Sequence, residues 1–513
     1  MNVLRLFCLF FLVSHLAFAK SATFEDGQAA YDNNDLISAE RIWRNLAVKE
    51  NHAQAQHEIG LFYRSGRVVG VDFKKAFGWF KKAAEQGYAD SQSMLGYMYQ
   101  LGEGVEKDEA QAFHWYMEAA TQGHTESQAH LGVLYRTGRA VNEDYEKSIY
   151  WYTQAAEKNN SLAQYGLAEM YHLGLGVEKD IDKAIEWYIK SSEQNYSRAN
   201  YQLGLIYETG EEVEIDYKTA SSFYEKATKK GHTKSYFQLA MLYEKGLGVE
   251  KDLDKAASLY RKAFKRFHKE AKSAYYRVAE EGSIAAQRGL GRYHYRGRHF
   301  SKDIEKSYYW FSKAAEKGDA ESQYRVAGFY RKGEVVEKDD VKAFSWYKKS
   351  ADQGYKHAQH SIGWRYENGK GTEKDLKKAA YWYERAAEQE QIRAYYSIGR
   401  MYKNGYGVDK NPEKAAFWYK KAVKYLSPKA FTALGWMYVK GEGVERNYSE
   451  AIALFTKATK WKNKRGWSSL AYMYENGFGV DKDYDKALSY YEKDPSKWAT
   501  NRAHAVRDKL VSG

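Results

Sequence analysis

Apolar residues recur along this chain at helical spacing, in short segments that come in pairs. In the first segment of one such pair, Leu95, Met98 and Tyr99 fall on one side of a helix of 3.6 residues per turn. Gly102 follows where that helix must stop, because glycine readily takes the left-handed conformation that ends helices. The pattern therefore predicts a helix with one apolar face that ends at a glycine turn.

The second segment of the pair begins after an acidic residue. Asp108 can accept hydrogen bonds from the free N–H groups of a first helical turn, and Ala112 and Tyr116 follow at helical spacing. At the matching place in a later copy stands Asn411 followed by Pro412, which is typical of an N-cap and a first helical residue. Each pair therefore predicts a helix-turn-helix unit.

This unit repeats along nearly the whole chain. The stretch LGYMYQLGEGVEKD at 95 returns with a period of 36 residues, apart from one spacing of 51 between Leu239 and Leu290. Twelve copies begin at 59, 95, 131, 167, 203, 239, 290, 326, 362, 398, 434 and 470. Because one such helical pair cannot bury its own apolar face, the copies are expected to stack. We predict an all-α fold, a right-handed α/α superhelical solenoid.

The repeats also set the expected domain boundaries. We predict a signal peptide at 1–19, irregular capping helices at 20–54, repeats 1–6 at 55–264, a helical insertion at 265–282, repeats 7–12 at 283–494 and a capping helix at 495–513. The insertion is either an extension of the preceding helix or an additional helix. It could serve as a hinge or a partner-docking element, or be a tolerated insertion without a role.

Two repeated features resemble ligand motifs and are better explained by packing. The Gly-x-Gly turn recurs before a capping aspartate or asparagine in seven of the twelve copies, so it is predicted to join two helices and not to hold a phosphate. An aromatic column at helical period is expected to fill the space between units. Its members are Trp79, Trp115, Trp151, Trp187, Trp310, Trp346, Trp382 and Trp418.

The N-terminus and the cysteine content bear on location. Arg5, an apolar run and Ala17-Phe18-Ala19 fit a cleaved secretion signal better than a membrane anchor, which needs about 20 apolar residues. The only cysteine, Cys8, lies in that segment, so no disulfide or thiolate site is expected after cleavage. We expect export to the periplasm, or alternatively to the extracellular space, with no transmembrane segment after signal removal.

Charge and motifs narrow the classes of function. The net charge is +13, and loss of Arg5 would make it +12, yet the lysines are spread along the chain. This is typical of a solvated surface, with an anionic partner as the alternative. No H-E-x-x-H, G-x-S-x-G or phosphate-loop pattern occurs, and His357 with His360 has no third metal ligand. We predict no enzyme activity, no catalytic residue, no cofactor, no metal and no nucleic-acid partner.

The repeat pattern as a whole resembles a known family. The consensus A-x-x-Q-x-x-L-G-x-x-Y-x-x-G-x-G-V-x-x-D-x-x-K-A-x-x-W-Y-x-K-A-A-x-x-G covers about nine tenths of the chain and resembles the Sel-1-like repeat family, relatives of the tetratricopeptide repeats. That resemblance implies an α/α scaffold or adaptor, often exported and linked to envelope assembly, exopolysaccharide production or host contact. Some cysteine-rich members bind or hydrolyse β-lactams, but their paired cysteines are missing here.

The first helix of each repeat carries two opposite faces. Counted from the glycine or alanine after its conserved apolar residue, such as Gly96, positions −5, −1, +2 and +3 form the core side. Positions −3, +1 and +4 lie opposite, and we call these three columns the A face. In tetratricopeptide-like arrays the first helices line the concave surface, so the A face is the candidate binding surface. Filling of a tight inner curve is the alternative.

Arginine and aromatic residues mark the A face as a contact surface. The predicted partner-binding residues are Tyr97, Arg288, Arg292, Tyr324, Trp364, Tyr396, Arg400, Trp436 and Tyr472. The first hypothesis for function is an exported non-enzymatic scaffold that binds a protein partner there, in envelope assembly or host and cell-surface interaction. The alternatives are a binder of cell wall or acidic polysaccharide and, third, a weak β-lactam or peptidoglycan hydrolase.

Overall fold

The computed structural model describes residues 22–461 and 463–512. The predicted signal peptide lies outside the described residues. Within them the chain is all-helical, and no strand is formed.

Helices α1 and α2 precede the repeats at Phe24–Asp32 and Leu36–Lys49. The next twelve, α3 to α14, are Ala53–Ser65, Phe73–Ala84, Ala89–Leu101, Glu109–Thr121, Thr125–Thr137, Tyr145–Glu157, Ser161–Leu173, Ile181–Glu193, Ser197–Thr209, Tyr217–Lys229, Thr233–Lys245 and Leu253–Lys265. Helix α15 is Ala271–Glu281. Helices α16 to α27 are Ile284–Arg296, Ile304–Glu316, Ala320–Lys332, Asp340–Asp352, Lys356–Asn368, Leu376–Glu388, Ile392–Asn404, Pro412–Lys424, Pro428–Lys440, Tyr448–Lys460, Lys464–Asn476 and Tyr484–Tyr491. Helix α28 is Lys497–Ser512.

Twelve helical pairs follow this order, as the periodicity predicts, and the solenoid class is confirmed. We call the first helix of each pair the A helix and the second the B helix. In the region of the insertion the B helix of repeat 6 ends at Lys265, and a separate helix, α15, runs over Ala271–Glu281. The extra residues thus add a helix and do not lengthen the preceding one.

The chain divides into two compact units. The first contains the described residues up to Asp252 together with Leu259–Ala271. The second contains Leu253–Ser258 and the described residues from Lys272 onward. The A helices of repeats 1–6 lie in the first unit, and those of repeats 7–12 lie in the second.

The helix ends are formed as the sequence predicts. Gly102 ends α5 with φ of 76°, and the Asp108 carboxylate accepts a hydrogen bond of 2.9 Å from the Gln111 N–H at the start of α6. Asn411 caps α23 in the same way, with Pro412 as the first helical residue. Capping removes unsatisfied N–H groups, so the acids of the repeat are structural.

The second glycine of the turn is required by its close approach to the preceding repeat. Gly104 has φ of 73°, and a Cβ there would lie 2.2 Å from the carbonyl oxygen of Phe73. Only glycine combines this φ with so close an approach. The turn therefore joins one repeat to the one before it.

Core positions agree with the predicted faces, although tyrosine fills them more completely than tryptophan does. Leu95, Met98 and the B-helix Tyr116 are fully buried. Of the tryptophan column, Trp310, Trp382 and Trp418 are buried, whereas the others are half-buried at the edge of the core. Lysines cover several of these edges, as Lys190 does with its ammonium 3.8 Å from the Trp187 ring centre.

Buried glutamines connect successive repeats in both units. Gln92 donates to the Ala84 carbonyl at 3.2 Å, and its own carbonyl accepts from Gln122 of the following B helix at 2.6 Å. Gln323 makes the same two contacts, with Ala315 at 3.2 Å and Gln353 at 2.8 Å. Because a buried amide is costly unless bonded, these contacts fix the register of neighbouring repeats.

Candidate functional site

The A face is assembled from the A helices, because each places its −3, +1 and +4 residues opposite its core side. All 36 of these positions, three in each of the twelve repeats, lie among the described residues. Only two of them, Arg331 and Trp364, are exposed, while the rest are half-buried or buried. Both belong to neighbouring repeats of the second unit, so free A-face surface is concentrated there.

Three predicted arginines are held by carboxylates of neighbouring repeats. Arg292 donates through Nε to Glu321 at 2.8 Å and forms a second bond to the same carboxylate. Arg288 pairs with Asp319, and Arg400 pairs with Glu367. Such charge-assisted bonds hold each guanidinium group to a carboxylate. These arginines therefore link repeats instead of presenting free charge.

The predicted aromatic residues are partly covered. Tyr97, Tyr324, Tyr396 and Tyr472 are half-buried, and Arg64 lies with its guanidinium carbon 4.9 Å from the Tyr97 ring centre. Trp436, which like Trp364 lies outside the repeated tryptophan column, is half-buried. Its indole N–H donates to the Ser469 hydroxyl at 3.0 Å, and Tyr472 packs against its ring.

Trp364 is different, since 44% of its surface is exposed. Among the nine predicted residues it alone presents a large apolar side chain to solvent. Exposed tryptophan is uncommon on soluble proteins and is over-represented at binding hot spots.

A small cleft lies on the A face one repeat before Trp364. Its volume is about 100 Å³, and its walls include Tyr295, Tyr324, Arg331 and Tyr347. Its floor contains Gly328, which occupies the +1 column where other repeats carry side chains such as Arg292 and Trp364. Neither Gly328 nor Arg331 is among the nine predicted residues. A glycine in a column of large residues is the sequence signal that could have identified them.

Electrostatics in this region are dominated by guanidinium groups. Burial raises the pKa of the Tyr347 phenol, and the nearby Arg331 and Arg365 partly offset this effect. Arg365 is fully buried under Tyr347, with its guanidinium carbon 5.0 Å from the ring centre, and contacts Asp340 at 3.2 Å. Because Asp340 compensates its charge, Arg365 supports the packing of Tyr347 and adds no free charge to the cleft.

Two histidines of the −3 column, His57 and His360, are largely shielded from water. Burial lowers the pKa of His360 to about 4, and burial lowers the pKa of His57 to about 4 as well. His57 contacts the Ser91 hydroxyl at 2.9 Å inside the first unit. Both imidazoles are therefore neutral packing groups at neutral pH.

Over residues 22–461 and 463–512 no three acidic, histidine or cysteine side chains are grouped so that they could hold a metal ion. None of the helices in these ranges combines the length and apolar character needed to span a bilayer.

Comparison with known proteins agrees with this repeat architecture. The sequence model of the Sel1 repeat matches residues 53–88, 89–124, 125–160, 161–196, 197–232, 233–266, 284–319, 320–355, 356–390, 392–424, 429–460 and 468–493. Sel1 repeat proteins are in general non-enzymatic helical scaffolds, and their repeats commonly mediate protein interactions. No curated protein matches the chain.

Several solved structures are similar. The protective antigen c5321 of uropathogenic Escherichia coli is 31% identical, over 95% of this chain and 97% of that one, with a TM-score of 0.40. A Sel1 repeat protein from Oxalobacter formigenes is 33% identical, over 48% of this chain and 100% of that one, with a TM-score of 0.44. The immunity protein Pa5087 from Pseudomonas aeruginosa is 20% identical, over 42% of this chain and 81% of that one, with a TM-score of 0.31. With twelve matched repeats, the chain belongs to the Sel1 repeat family.

Proposed function

We propose that this protein is an exported, non-enzymatic scaffold that binds a protein partner through the A face of its second unit. The observation that carries the proposal is the exposure of Arg331 and Trp364 on a face that is otherwise covered. An exposed indole and an exposed guanidinium in neighbouring repeats suit a protein contact, because tryptophan and arginine dominate binding hot spots. A role in envelope assembly or in host and cell-surface interaction fits this scaffold.

A pull-down of partners from envelope extract tests the binding surface. Trp364→Ala is expected to reduce capture of the partner about 30-fold or more, since hot-spot truncations cost at least about 2 kcal/mol. Trp461→Ala is the matched control, because Trp461 is 51% exposed but lies at the end of a B helix. Equal partner capture by wild type and Trp364→Ala would contradict the proposal.

Export is tested separately from binding. Mass spectrometry of the protein purified from cells is expected to find an N-terminus at Lys20, produced by cleavage after Ala19. Cell fractionation should place that processed form in the periplasmic or extracellular fraction. A full-length chain retained in the cytoplasm would overturn the export part of the proposal and leave the binding part open to its own test.

The second candidate function is binding of an acidic polysaccharide. Arginine beside tyrosine and tryptophan on the A face also suits acidic sugars, and the net charge of the chain is positive. Arg292 and Arg400 are poor probes of this alternative, because both are held by glutamates. Salt-sensitive retention on an anionic glycan column that is lost in Arg331→Gln would favour the polysaccharide.

A further inference from the structure

The cleft at Gly328 is a gap in an otherwise filled column of side chains. In repeats 7, 9, 10 and 11 the +1 position holds Arg292, Trp364, Arg400 and Trp436. A Cβ built on Gly328 would meet no atom within 4 Å, so the space above this glycine is open. The gap is thus a depression on the A face that is lined by the exposed Arg331 and lies one repeat before the exposed Trp364.

The size of the gap limits what can enter it. Small-molecule sites usually measure about 300–1,000 Å³, whereas this cleft measures about 100 Å³. Its volume therefore suits one side chain of a partner and is too small for a cofactor or a whole sugar ring. An occupant that reaches it from an extended chain would continue along the A face.

The charges of the cleft select an anionic occupant. Arg325, Arg331 and Lys332 line it, against the single carboxylate Glu334. Glu334 already contacts the Lys332 ammonium at 3.3 Å, and that ammonium also contacts the Tyr295 hydroxyl at 3.2 Å. The Lys332 ammonium is therefore already engaged, which leaves the guanidinium groups of Arg325 and Arg331.

These two guanidiniums have unused donors. The Nε of Arg325 is buried without a hydrogen-bond partner, and Arg325 has only a long contact of 3.7 Å to Glu321. Arg331 is exposed and approaches Tyr347 instead of a carboxylate. Guanidinium groups bind carboxylates through paired, charge-assisted hydrogen bonds. Tyr324 and Tyr347 give the cleft apolar walls with polar tips, which favour a short acidic side chain with a carbon stem.

We infer that the Gly328 cleft binds the carboxylate side chain of an aspartate or glutamate in an acidic, aromatic-containing segment of a protein partner. The segment lies along the A face of the second unit, with its acid over Gly328 between Arg325 and Arg331 and an apolar residue on Trp364. This inference rests on the proposed function, because it names the chemistry of the partner that the A face would bind.

Fluorescence anisotropy with a defined peptide pair tests the inference. The probe is a fluorescein-labelled peptide in which glutamate alternates with tyrosine, and its counterpart carries glutamine in place of glutamate. The glutamate peptide is expected to bind wild-type protein at least about tenfold more tightly, because hydrogen bonds to charged groups are the stronger ones. Equal affinity for the two peptides would overturn the inference.

Two variants locate the binding. Gly328→Leu fills the cleft, and leucine is found at the same position in repeats 1 and 5 as Leu61 and Leu205. Arg331→Gln removes one donor. Each variant is expected to weaken binding of the glutamate peptide about tenfold. Arg446→Gln, a change of an exposed turn arginine, is the charge-matched control and should leave binding unchanged.

The outcomes separate this inference from the proposed function. Unaltered peptide binding by Gly328→Leu, with its helix content and melting temperature retained, would overturn the cleft assignment. If a uronic-acid oligomer binds with this Gly328 and Arg331 dependence and the peptide does not, a glycan is the ligand and the inference is wrong. Partner capture that depends on Trp364 while neither variant changes peptide affinity would leave the proposed function standing and refute only the cleft.

Discussion

The A faces of the two units are built from the same repeated helices but carry different side chains. In repeats 1–6 the three columns carry two arginines, Arg64 and Arg136, and three acids, Glu169, Glu208 and Glu244. In repeats 7–12 they carry five cations, Arg288, Arg292, Arg331, Arg400 and Lys403, and two acids, Glu367 and Glu475. Since core columns, caps and turns are the same, the difference lies in residues that the fold leaves free to vary.

The two units also differ in how their charges are used. In the first unit a cleft of about 530 Å³ is lined by the A-face residue Arg64, which pairs with Glu103 at 3.0 Å, and by Arg67, which lies outside the A-face columns and donates to the Tyr31 hydroxyl at 2.8 Å. In the second unit the smaller cleft contains Arg331, which approaches a phenol only. A basic residue is informative about binding only when the protein itself leaves it without a carboxylate.

The largest expected effect is on the pH dependence of the free energy of unfolding. It tests whether equivalent buried positions behave alike in the two units. His57 and His360 occupy the same −3 column, and both have a pKa of about 4 in the folded chain against 6.5 for the free side chain. The unfolded chain therefore takes up protons first as the pH falls. The contribution of each histidine to the free energy of unfolding is therefore fully present above pH 6.5. It is lost progressively as the pH falls, and the loss levels off near pH 4.

Each histidine should account for up to about 3 kcal/mol of acid destabilisation. His360→Phe, with a residue that repeat 6 carries at this position as Phe237, should flatten the pH dependence of stability between 6.5 and 4. Urea denaturation across this pH range measures the effect, and His57→Phe is the equivalent change in the first unit. Flattening by only one of the two variants would break the equivalence of the units.

The next largest effect on stability tests how tightly the two helices of a repeat are packed. A Cβ at Gly132 in the first unit would lie 2.4 Å from the ring of Tyr152, which is itself buried. Gly132→Ala should therefore lower the free energy of unfolding by about 1–3 kcal/mol, as overpacked cores do. Thermal melting of the variant measures the loss, and unchanged stability would show that Tyr152 can move aside.

A smaller effect on stability distinguishes the arginine that is paired with a carboxylate from the arginine that is not, both in the second unit. The Arg400 pair with Glu367 is partly exposed, so Arg400→Gln should lower stability by only about 1 kcal/mol. Arg331→Gln should leave stability unchanged, because Arg331 is exposed and makes no ion pair with the described residues. Denaturant titration of both variants compares them directly. A larger loss for Arg331→Gln would mean that Arg331 is structural.

The smallest effect has the opposite sign. Gly328 lies inside α18, and a Cβ there would meet no atom within 4 Å. Gly328→Ala should therefore raise stability by about 0.5–1 kcal/mol, because glycine loses more backbone entropy in a helix than alanine does. Thermal melting beside Gly132→Ala should show shifts in opposite directions. Destabilisation by Gly328→Ala would mean that the cleft is closed in solution.

The helices, their ends and their core positions could largely be predicted from the sequence, because each depends on residues close together in the chain. The cap at Asp108, the glycine end at Gly102 and the Asn411-Pro412 helix start follow from residue type and spacing alone. The core side of the A helices follows from helical period. The capping aspartate or asparagine and the glycine helix end recur in all twelve copies, so an exception in one copy does not hide the pattern.

The candidate site could be predicted only in part, because partners across repeats are not visible in one repeat. The helical period assigns Arg292 and Arg400 to the A face, but the glutamates that hold them lie in neighbouring repeats. Trp436 appeared equivalent to Trp364, yet a serine of the next repeat binds its indole. The cleft beside Arg331 is open because Gly328 has no side chain to fill it. A sequence search for charged and aromatic residues does not select a glycine.

Site-specific photocrosslinking tests the central claim most directly. A photoreactive benzoylphenylalanine replaces Trp364 of the second unit in one variant and Tyr97 of the first unit in another, since both are aromatic +1 residues of the A face. Irradiation in the cell envelope is expected to yield a covalent protein adduct at 364 and none at 97. An adduct at 97 but not at 364, or no protein adduct at either position, would contradict the claim that the A face of the second unit binds a protein partner.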